Sequence, residues 1–507
     1  MTSAQIIIVV TIVLYLAAMV LVGVYFGKKG SGSSSDDFYL GGRKMGPVVT
    51  AMSAEASDMS SYLLMGLPGL AYLFGLPEVT WTTIGLAIGT YLNWLIVARR
   101  LRRYSAKLGA ITIPDFFARR FGDKKHLLSC IAAVVILIFF IPYTASGFKA
   151  IGTLFNSLFG VEYHTAMIVG GIVVVLYTVM GGFMAVSFTD LIQSIFMTIA
   201  LIVIVCFGVQ QAGGLDTVID NARALPGYLN MTQGYDAASG TAASFSTLSI
   251  ISTLAWGLGY FGMPHIIVRF MSIEKASMVK KSATVAIIWV VLSLGSVCLI
   301  AYFGRMLVAE ELLANGMQKT IFITLARRLF PAFIAGVLLA AIMAASMSTA
   351  DSQLLVASSS FTSDIYKPAF RKNASDKEIL WVGRVVVLVV AVVAYIIATN
   401  KGEGAQAIMN MVENAWGGFG SAFGPVVILS LFWRRFTYRG AIAGVVGGAL
   451  VDVLWYSFLS ASTSIYELLP GFIAGMLCAV VATLLDKAPA KEITDIYDKA
   501  TMLLKED

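Results

Sequence analysis

The chain has 507 residues, of which 58% are hydrophobic and 13% are charged, and its formal net charge is +7. With a mean hydropathy of +0.83 it is far too apolar for a soluble protein, and its composition is typical of a helical protein that crosses a membrane many times. The sequence contains no G-x-x-x-x-G-K-[ST] motif, so it offers no phosphate-binding loop through which ATP could drive a reaction.

Apolar runs of about 20 residues, long enough to cross the ~30 Å hydrocarbon core of a bilayer, recur along the whole chain. The sequence predicts about thirteen transmembrane helices, at 5–27, 46–73, 77–98, 127–156, 164–182, 188–209, 244–269, 280–304, 330–358, 379–399, 405–433, 438–459 and 468–485. The longest polar segments between them, 99–126 and 210–243, are too short to bury a core of their own. We therefore expect an all-α polytopic membrane protein without a soluble catalytic domain.

Lysines and arginines are divided unequally between the two sets of loops. With the N-terminus placed outside, the cytoplasmic segments hold 28 of the 36 basic residues and the outer loops hold six, among them Arg305. Because cytoplasmic loops carry the excess of Lys and Arg, this predicts an outside N-terminus and a cytoplasmic C-terminus. Arg269 is counted here as a cytoplasmic loop charge. The same distribution explains the positive net charge, so the expected partner surface is the lipid bilayer and not nucleic acid.

A polar cluster interrupts the second predicted span. Glu55 and Asp58 stand at membrane depth among several serines, and Gly66, Pro68 and Gly69 follow closely. An ionisable residue at this depth costs at least about 2.5–3.5 kcal/mol, so its presence indicates a functional site. A helix can be interrupted there where the freed backbone faces protein or a water-filled cavity. We expect a discontinuous helix; the alternative is a kinked structural helix whose polar groups are satisfied.

The seventh predicted span is interrupted as well, by three glycines between Trp256 and Pro264. Interrupted helices at corresponding places in two halves are typical of transporters built from inverted repeats. We therefore divide the chain into an N-terminal helix and cytoplasmic loop (1–45), a first five-helix repeat (46–209), an extracellular loop (210–243), a second five-helix repeat (244–433), two C-terminal helices (434–485) and a cytoplasmic tail (486–507).

Hydroxyl side chains of the ninth predicted span share one helical face. Ala345, Ser348 and Thr349 stand at i, i+3 and i+4, and Ala56 and Met59 have an i, i+3 spacing in the second span. Two hydroxyls and the carbonyls of a broken helix would supply about five neutral oxygen ligands, which a hard cation such as Na⁺ prefers. The alternative is that these hydroxyls bond to their own helix or to a neighbouring helix.

Aromatic residues follow the second interruption at helical spacing. Trp256, Tyr260 and Pro264 stand at i, i+4 and i+8, and Tyr143 follows Pro142 in the fourth span. Such a stripe is more often packing than ligand contact. On an interrupted helix, however, it would form a compact box for an apolar ring that carries a cationic nitrogen.

The chain resembles the sodium/solute symporter family over nearly its whole length, and within it the proline-transporting branch. The segments that carry the resemblance are Ser57-Asp58-Met59-Ser60, Leu64-Met65-Gly66-Leu67-Pro68-Gly69, Ser187-Phe188-Thr189-Asp190, Met347-Ser348-Thr349 and Ala415-Trp416-Gly417-Gly418-Phe419-Gly420. The resemblance implies a LeuT-type fold of ten core helices in two inverted five-helix repeats, with one helix before the core and two after it.

The resemblance also implies a set of site residues. The Na⁺ ligands would be the carbonyls of Ala56, Met59 and Ala345 and the hydroxyls of Ser348 and Thr349. Asp58 and Asp190 would support the site. The proline contacts would come from Tyr143, Trp256, Tyr260 and Pro264. The carboxylate of proline is best met by N–H groups at the start of a half-helix, near Ser60 and Ser61.

The expected function is secondary transport of L-proline with Na⁺ by alternating access, in the inner (plasma) membrane and without an obligatory protein partner. Ser61 and Tyr62 differ from the Gly and Trp of a well-known family member, so a Na⁺ symporter for a carboxylate, a sugar or pantothenate is the first alternative. A membrane-embedded enzyme that uses Glu55 or Asp58 with Asp190, or a membrane sensor, is the alternative from another class. The three histidines show no metal-ligand spacing that would favour the enzyme.

Overall fold

The chain is almost entirely helical. The computed structural model describes residues 2–28, 34–314, 316–400 and 405–502. The long apolar helices are Ser3–Lys28, Leu76–Leu108, Leu127–Phe159, Tyr163–Gln211, Ala276–Ala314, Ala332–Phe370, Asp376–Asn400, Ala405–Phe432, Tyr438–Phe458 and Leu468–Leu485. Two further spans are made of two helices each, Pro47–Met59 with Tyr62–Phe74 and Thr247–Phe261 with Pro264–Ser272. The short helices are Ser35–Leu40, Gly41–Arg43, Ile113–Phe121, Leu215–Arg223, Gln318–Thr320, Ile321–Leu329, Ser460–Thr463 and Lys491–Met502, and one hairpin pairs Gln233–Asp236 with Thr241–Ser244.

The 49-residue helix Tyr163–Gln211 is long enough to cross a membrane twice. At 1.5 Å per residue it would measure about 73 Å, more than two bilayer thicknesses. Non-helical backbone at Gly182 (φ 59°, ψ −160°) divides it. The sequence places a gap between two spans at 183–187, which is wrong: these residues are helical and the break comes before them. With this division and each broken span counted once, the described residues contain about the thirteen spans that the sequence predicts.

The helices form an inner and an outer set. Within an 18-residue apolar stretch of each helix, 78% is buried in Ala332–Phe370 and 83% in Asn410–Phe432. In Ser3–Lys28 the corresponding share is 33%, and in Tyr438–Phe458 it is 28%. The outer helices expose large apolar side chains such as Leu14, which would face lipid chains in a bilayer. The two inner helices are therefore placed to carry polar groups that lipid would not tolerate.

Both predicted interruptions are present, and local sequence explains them. The first broken helix (Pro47–Met59 with Tyr62–Phe74) stops at Ser60, a non-glycine residue with φ 45° and ψ −169°. The second broken helix (Thr247–Phe261 with Pro264–Ser272) bends by 42°. Its extended residue Met263 precedes Pro264, which begins the next helix. Proline suits this first position because the N–H that it lacks would have no partner within the helix.

One basic residue lies elsewhere than its sequence prediction placed it. Arg269, counted above as a cytoplasmic loop charge, belongs to the helix Pro264–Ser272 and is 1% exposed, because the seventh span extends beyond its predicted end. In the C-terminal tail, the helix Lys491–Met502 is held to the membrane-spanning helices by an ion pair of 2.7 Å between Arg434 Nε and Asp498 Oδ1. Hydrogen bonds from the Arg434 guanidinium hold the pKa of the Asp498 carboxyl below its usual value.

The break at Gly182 gives a prediction about stability. Its φ and ψ lie in a region that is accessible essentially to glycine alone, and a Cβ added there would lie 2.8 Å from the Phe38 ring and 2.9 Å from the Phe38 carbonyl oxygen. Gly182→Ala should cost about 1–3 kcal/mol or more and lower the thermal unfolding midpoint in detergent. The matched control is Gly295→Ala, since a Cβ at that helical position meets nothing within 4 Å. Equal midpoints for both variants would contradict the assignment.

Candidate functional site

The site is built on the end of the helix Pro47–Met59. The last four carbonyls of a helix, here those of Ala56, Ser57, Asp58 and Met59, have no partner within the helix. All four residues are buried, so water at the protein surface does not satisfy them. Their partners must come from other elements of the bundle.

Three of these four carbonyls receive partners from three different elements. Ser348 Oγ donates to the Ala56 carbonyl at 2.7 Å. His265 Nε2 lies 3.2 Å from the Ser57 carbonyl, and Tyr143 Oη donates to the Asp58 carbonyl at 3.3 Å. The interrupted helix is thus joined to the Ala332–Phe370 helix, to the second broken helix and to Leu127–Phe159.

The fourth carbonyl, that of Met59, receives no hydrogen bond from any side chain in the described part of the chain. It lies one helical turn after Ala56 on the same face. A cation placed beside the Ser348 hydroxyl and the Ala56 carbonyl would therefore find a further oxygen on this turn.

The predicted cation ligands on the Ala332–Phe370 helix lie beside these carbonyls. The hydroxyls of Ser348 and Thr349 lie 3.3 and 3.2 Å from the Ala345 carbonyl oxygen. Because the same Ser348 hydroxyl reaches Ala56, the structure brings four of the five predicted oxygens together. A hydroxyl that rotates its hydrogen away can offer a lone pair to a cation instead. The oxygen-only, uncharged ligand set fits Na⁺.

A small cavity adjoins this ligand set. Its volume is about 10 Å³, room for about one water molecule, and it is lined by Asp58, Met59, Tyr62, Leu86, Tyr143, Trp256, Val412 and Trp416. Its walls are mainly aromatic and apolar, with one carboxylate, a composition that suits a small solute with an apolar ring and a positive charge. The Asp58 carboxylate already accepts a hydrogen bond of 2.5 Å from Tyr260 Oη.

Four of the predicted solute contacts do not line this cavity. Tyr260 reaches it through the Asp58 carboxylate, and Pro264 starts the helix that follows the second break. Ser60 uses its hydroxyl to accept a hydrogen bond of 3.1 Å from the Tyr62 backbone N–H. Ser61 is fully buried, and its hydroxyl has no hydrogen-bond partner among the described residues.

Sequence reasoning missed half of the cavity wall. Tyr62 stacks on Trp256 with ring centroids 5.4 Å apart, and Trp416 Nε1 donates to the Trp256 carbonyl at 2.8 Å. The other two wall residues that the sequence did not predict are the apolar Leu86 and Val412. Trp416 belongs to the Ala415–Gly420 segment that carried the family resemblance, and it packs against Gly259 of the second broken helix. A Cβ at Gly259 would lie 2.0 Å from the Trp416 indole nitrogen, so glycine is required opposite this ring.

A larger pocket, called the vestibule here, shares the stacked rings of Tyr62 and Trp256 with the cavity. It has a volume of about 310 Å³. Its lining is Tyr62, Leu67, Leu70, Glu78, Val79, Thr82, Phe245, Ser249, Ser252, Thr253, Trp256, Glu413, Ser460, Ser464, Ile465, Tyr466 and Glu467. The two rings therefore form a wall between the vestibule and the cavity.

The predicted supporting residue Asp190 lies in a separate buried network. Its Oδ2 accepts from Ser53 Oγ at 2.6 Å and from Arg269 at 3.1 Å, and both members of the ion pair are at most 1% exposed. Arg269 also donates to Ser352 Oγ and at 2.5 Å to the His265 carbonyl. This network joins both broken helices to Tyr163–Gln211 and Ala332–Phe370, and it contains no atom that contacts the cavity.

A bundle of about thirteen apolar spans, in which two interrupted helices meet at a buried cavity, defines a multi-span membrane transporter. The profile of the sodium:solute symporter family matches residues 38–448. The chain belongs to this family.

Curated relatives match over nearly the full length. The high-affinity proline transporter PutP of Bacillus subtilis (strain 168) is 44% identical over 482 residues, 95% of this chain and 98% of that protein. The sodium/proline symporter of Escherichia coli (strain K12) is 43% identical over 97% of this chain and 95% of its own length. The osmoregulated proline transporter OpuE of Bacillus subtilis (strain 168) is 42% identical, covering 98% and 99%. These relatives are transporters, so the enzyme and sensor alternatives are set aside.

Solved structures share the fold. A Na⁺-coupled sialic acid symporter in a substrate-bound, outward-open state aligns with a TM-score of 0.75 at 20% identity, covering 96% of this chain and 99% of that one. Mhp1, a nucleobase-cation-symport-1 family transporter in a closed conformation, aligns with a TM-score of 0.54 at 13% identity, covering 91% and 98%. The predicted LeuT-type fold is confirmed.

The buried ion pair gives a second stability prediction. Asp190→Ala would remove the ion-pair partner of the buried Arg269 guanidinium, and breaking a buried pair typically costs about 3–5 kcal/mol. We expect a clear fall in the thermal unfolding midpoint, and partial recovery when Arg269→Met is added to Asp190→Ala, because the unpaired charge is then removed.

The control for this experiment is the surface pair Asp220–Arg223, whose side chains are 71% and 69% exposed. Exposed pairs contribute about 0–1 kcal/mol, so Asp220→Ala should leave the midpoint nearly unchanged. If Asp190→Ala behaves like Asp220→Ala, the buried pair does not stabilise the bundle.

Proposed function

We propose that this chain takes up L-proline together with Na⁺ by alternating access. The observation that supports the proposal is the contact between the Ser348 hydroxyl and the Ala56 carbonyl, one helical turn before Met59, which lines the small aromatic cavity. The relatives named sodium/proline symporter and proline transporter, at 42–44% identity, support both the ion and the solute.

In this proposal Na⁺ binds to the carbonyls of Ala56, Met59 and Ala345 and to the hydroxyls of Ser348 and Thr349. Ala345 stands beside both hydroxyls. Asp58 supports the ion electrostatically, because its carboxylate belongs to the same helix end and lines the cavity. Neutral ligands hold the ion without a full counter-charge, which leaves it free to be released on the other side.

Proline would occupy the cavity as a zwitterion after the wall residues move apart, because the cavity in this conformation has room for about one water molecule. The rings of Tyr143 and Trp256 form the walls for its apolar ring and its ammonium group, and Trp416 extends that wall. The carboxylate would be met by backbone N–H groups near Ser60 and Ser61, where the second half of the broken helix begins. Tyr260 and Pro264 do not line the cavity. Tyr260 would act on it by donating a hydrogen bond to the Asp58 carboxylate.

Coupling follows from charge. One Na⁺ carried with a zwitterion moves one net charge, which contributes about 2.3 kcal/mol per 100 mV of membrane potential. This corresponds to roughly fifty-fold accumulation before the Na⁺ gradient is added. The stacked rings of Tyr62 and Trp256 separate the cavity from the vestibule, and their separation would open the cavity to that side.

The proposal places the chain in the plasma membrane with an outside N-terminus and a cytoplasmic C-terminus, and it assigns 46–209 and 244–433 to the two inverted repeats. The loop charges support this orientation. A single cysteine at Ser239, in the hairpin turn, should react with an impermeant thiol reagent in intact cells when the four native cysteines are replaced. Protection of this cysteine until the cells are permeabilised would reverse the orientation.

The function is tested by uptake into proteoliposomes. Labelled L-proline should accumulate under an inward Na⁺ gradient and should not do so when choline replaces Na⁺. Because the aromatic wall that includes Tyr62 would also accept other small solutes, the same panel should include alanine, a small carboxylate, a sugar and pantothenate. Na⁺-driven uptake of one of these in preference to proline would favour the alternative solute.

The ion ligands give a kinetic prediction. Ser348→Ala and Thr349→Ala should each raise the Na⁺ concentration for half-maximal proline uptake about tenfold or more, because a lost buried ligand costs about 1–3 kcal/mol. Ser346→Ala is the matched control, since the Ser346 hydroxyl donates to the Ile342 carbonyl of its own helix. An unchanged Na⁺ dependence in both test variants would rule out this ion site.

The cavity wall gives a prediction about solute choice. Trp256→Ala should enlarge the cavity, weaken proline binding by about 1–3 kcal/mol through lost packing and admit bulkier solutes. Tyr143→Phe should be milder, because it removes one hydroxyl and leaves the ring in place. The measurement is competition by a series of proline analogues of increasing size. Unchanged proline affinity in Trp256→Ala would place the solute elsewhere.

A further inference from the structure

Two buried carboxylates lie outside the site described so far, between the Ala405–Phe432 helix and the two C-terminal helices. Asp452 belongs to Tyr438–Phe458 and is fully buried, and Glu467 immediately precedes Leu468–Leu485 and is 3% exposed. A Cβ added at Gly417 would lie 2.8 Å from Asp452 Oδ1 and 3.2 Å from Glu467 Cγ. The two side chains are therefore neighbours, with these atoms at most 6.0 Å apart.

Each carboxylate has an oxygen without a partner. Ser421 Oγ donates to Asp452 Oδ1 at 3.1 Å, but Asp452 Oδ2 and Glu467 Oε1 have no hydrogen-bond partner among the described residues. Neither side chain forms an ion pair with a basic residue in the described part of the chain. Two adjacent buried carboxylates without a positive partner repel each other when both are ionised, so they must either share a proton or hold a cation between them.

The vestibule supplies a route for that cation. Glu467 lines it together with Glu78 and Glu413, and its lining contains no lysine, arginine or histidine. A pocket with three carboxylates and no basic residue raises the local concentration of cations. The route ends at Glu467, from which the Asp452 carboxylate is the next group inward.

We propose that Asp452, Glu467 and Ser421 form a second Na⁺ site, on the vestibule side of the two C-terminal helices. The carboxylate oxygens and the Ser421 hydroxyl are the hard oxygen ligands that such an ion takes, and water from the vestibule completes the set. The ion joins both C-terminal helices to the Ala405–Phe432 helix, which also carries Trp416 in the cavity wall. The site is independent of the identity of the transported solute.

The test measures binding of ²²Na⁺ to the purified full-length protein in detergent. Asp452→Asn should reduce saturating ²²Na⁺ binding by about half. The variant with both Ser348→Ala and Thr349→Ala should keep a residual ²²Na⁺ binding that proline does not increase, and adding Asp452→Asn should abolish this residual. Glu162→Gln, at a side chain that is 59% exposed, is the control and should bind as the unmodified protein does.

Three results would overturn the proposal. The first is equal ²²Na⁺ binding in Asp452→Asn and in the unmodified protein. The second is residual binding in the Ser348→Ala and Thr349→Ala variant that survives both Asp452→Asn and Glu467→Gln. The third is a thermal midpoint that depends on pH but not on Na⁺ at constant ionic strength, which would mean that the carboxylates share a proton.

A milder variant keeps the test decisive where Asp452→Asn does not fold. Ser421→Ala retains both carboxylates and removes one ligand, and it should weaken the ²²Na⁺ affinity of the second site about tenfold. An unchanged affinity in Ser421→Ala would overturn the proposal. If Na⁺-driven proline uptake fails while Asp452→Asn still halves ²²Na⁺ binding, the function proposed above is wrong and the second site stands.

Discussion

The structure depends on satisfying the carbonyls that are freed where the first broken helix stops. At this depth in a bilayer there is no bulk water, and an unpaired backbone group costs several kcal/mol. Ser348, His265 and Tyr143 meet this requirement from three different elements, each with one contact to a successive carbonyl. These contacts fix how the surrounding helices stand relative to the break, and the same carbonyls form the candidate ion site.

The same constraint governs the carboxylates of this region. Asp58 accepts from Tyr260, and Glu55 accepts from Trp94 Nε1 at 3.1 Å. Asp190, on a different helix, is paired with Arg269. Each of these three carboxylates therefore accepts a hydrogen bond from a specific side chain, and that side chain comes from a distant part of the chain. The polar residues that mark a functional site in the sequence are, in the fold, also the residues that hold the helices in register.

Part of this organisation could be predicted from the sequence. Apolar run length gives the spans because bilayer thickness fixes it, and glycine and proline mark the two interruptions. Proline alone is not decisive: Pro142 lies inside the continuous helix Leu127–Phe159, whereas Pro264 begins a new one. The partners of the polar groups could not be predicted. Arg269 is 79 residues from Asp190, and no local pattern encodes such a pairing.

The cavity wall shows the same limit. Trp416 contacts the backbone of Trp256 across 160 residues of sequence, and the glycine that makes room for its indole is Gly259. A helical stripe predicts which residues share a face, but it does not predict which other helix that face meets. For this reason Trp256 was predicted as a wall residue while its neighbours Trp416 and Tyr62 were not, although each carries an aromatic ring of similar chemistry.

One short segment connects the candidate ion ligands to the wall that closes the cavity. Ala56 and Met59 carry candidate ligands, and Tyr62, three residues after Met59, stacks on Trp256 between the cavity and the vestibule. Between them Ser60 adopts a positive φ, a backbone conformation that costs about 1–3 kcal/mol and persists because its surroundings enforce it. An ion that draws the carbonyls of Ala56 and Met59 together therefore acts on a strained segment that ends at the wall. A ligand shifts a conformational equilibrium by its differential affinity for the two states, so Na⁺ bound as proposed would act through this segment on the opening of the cavity.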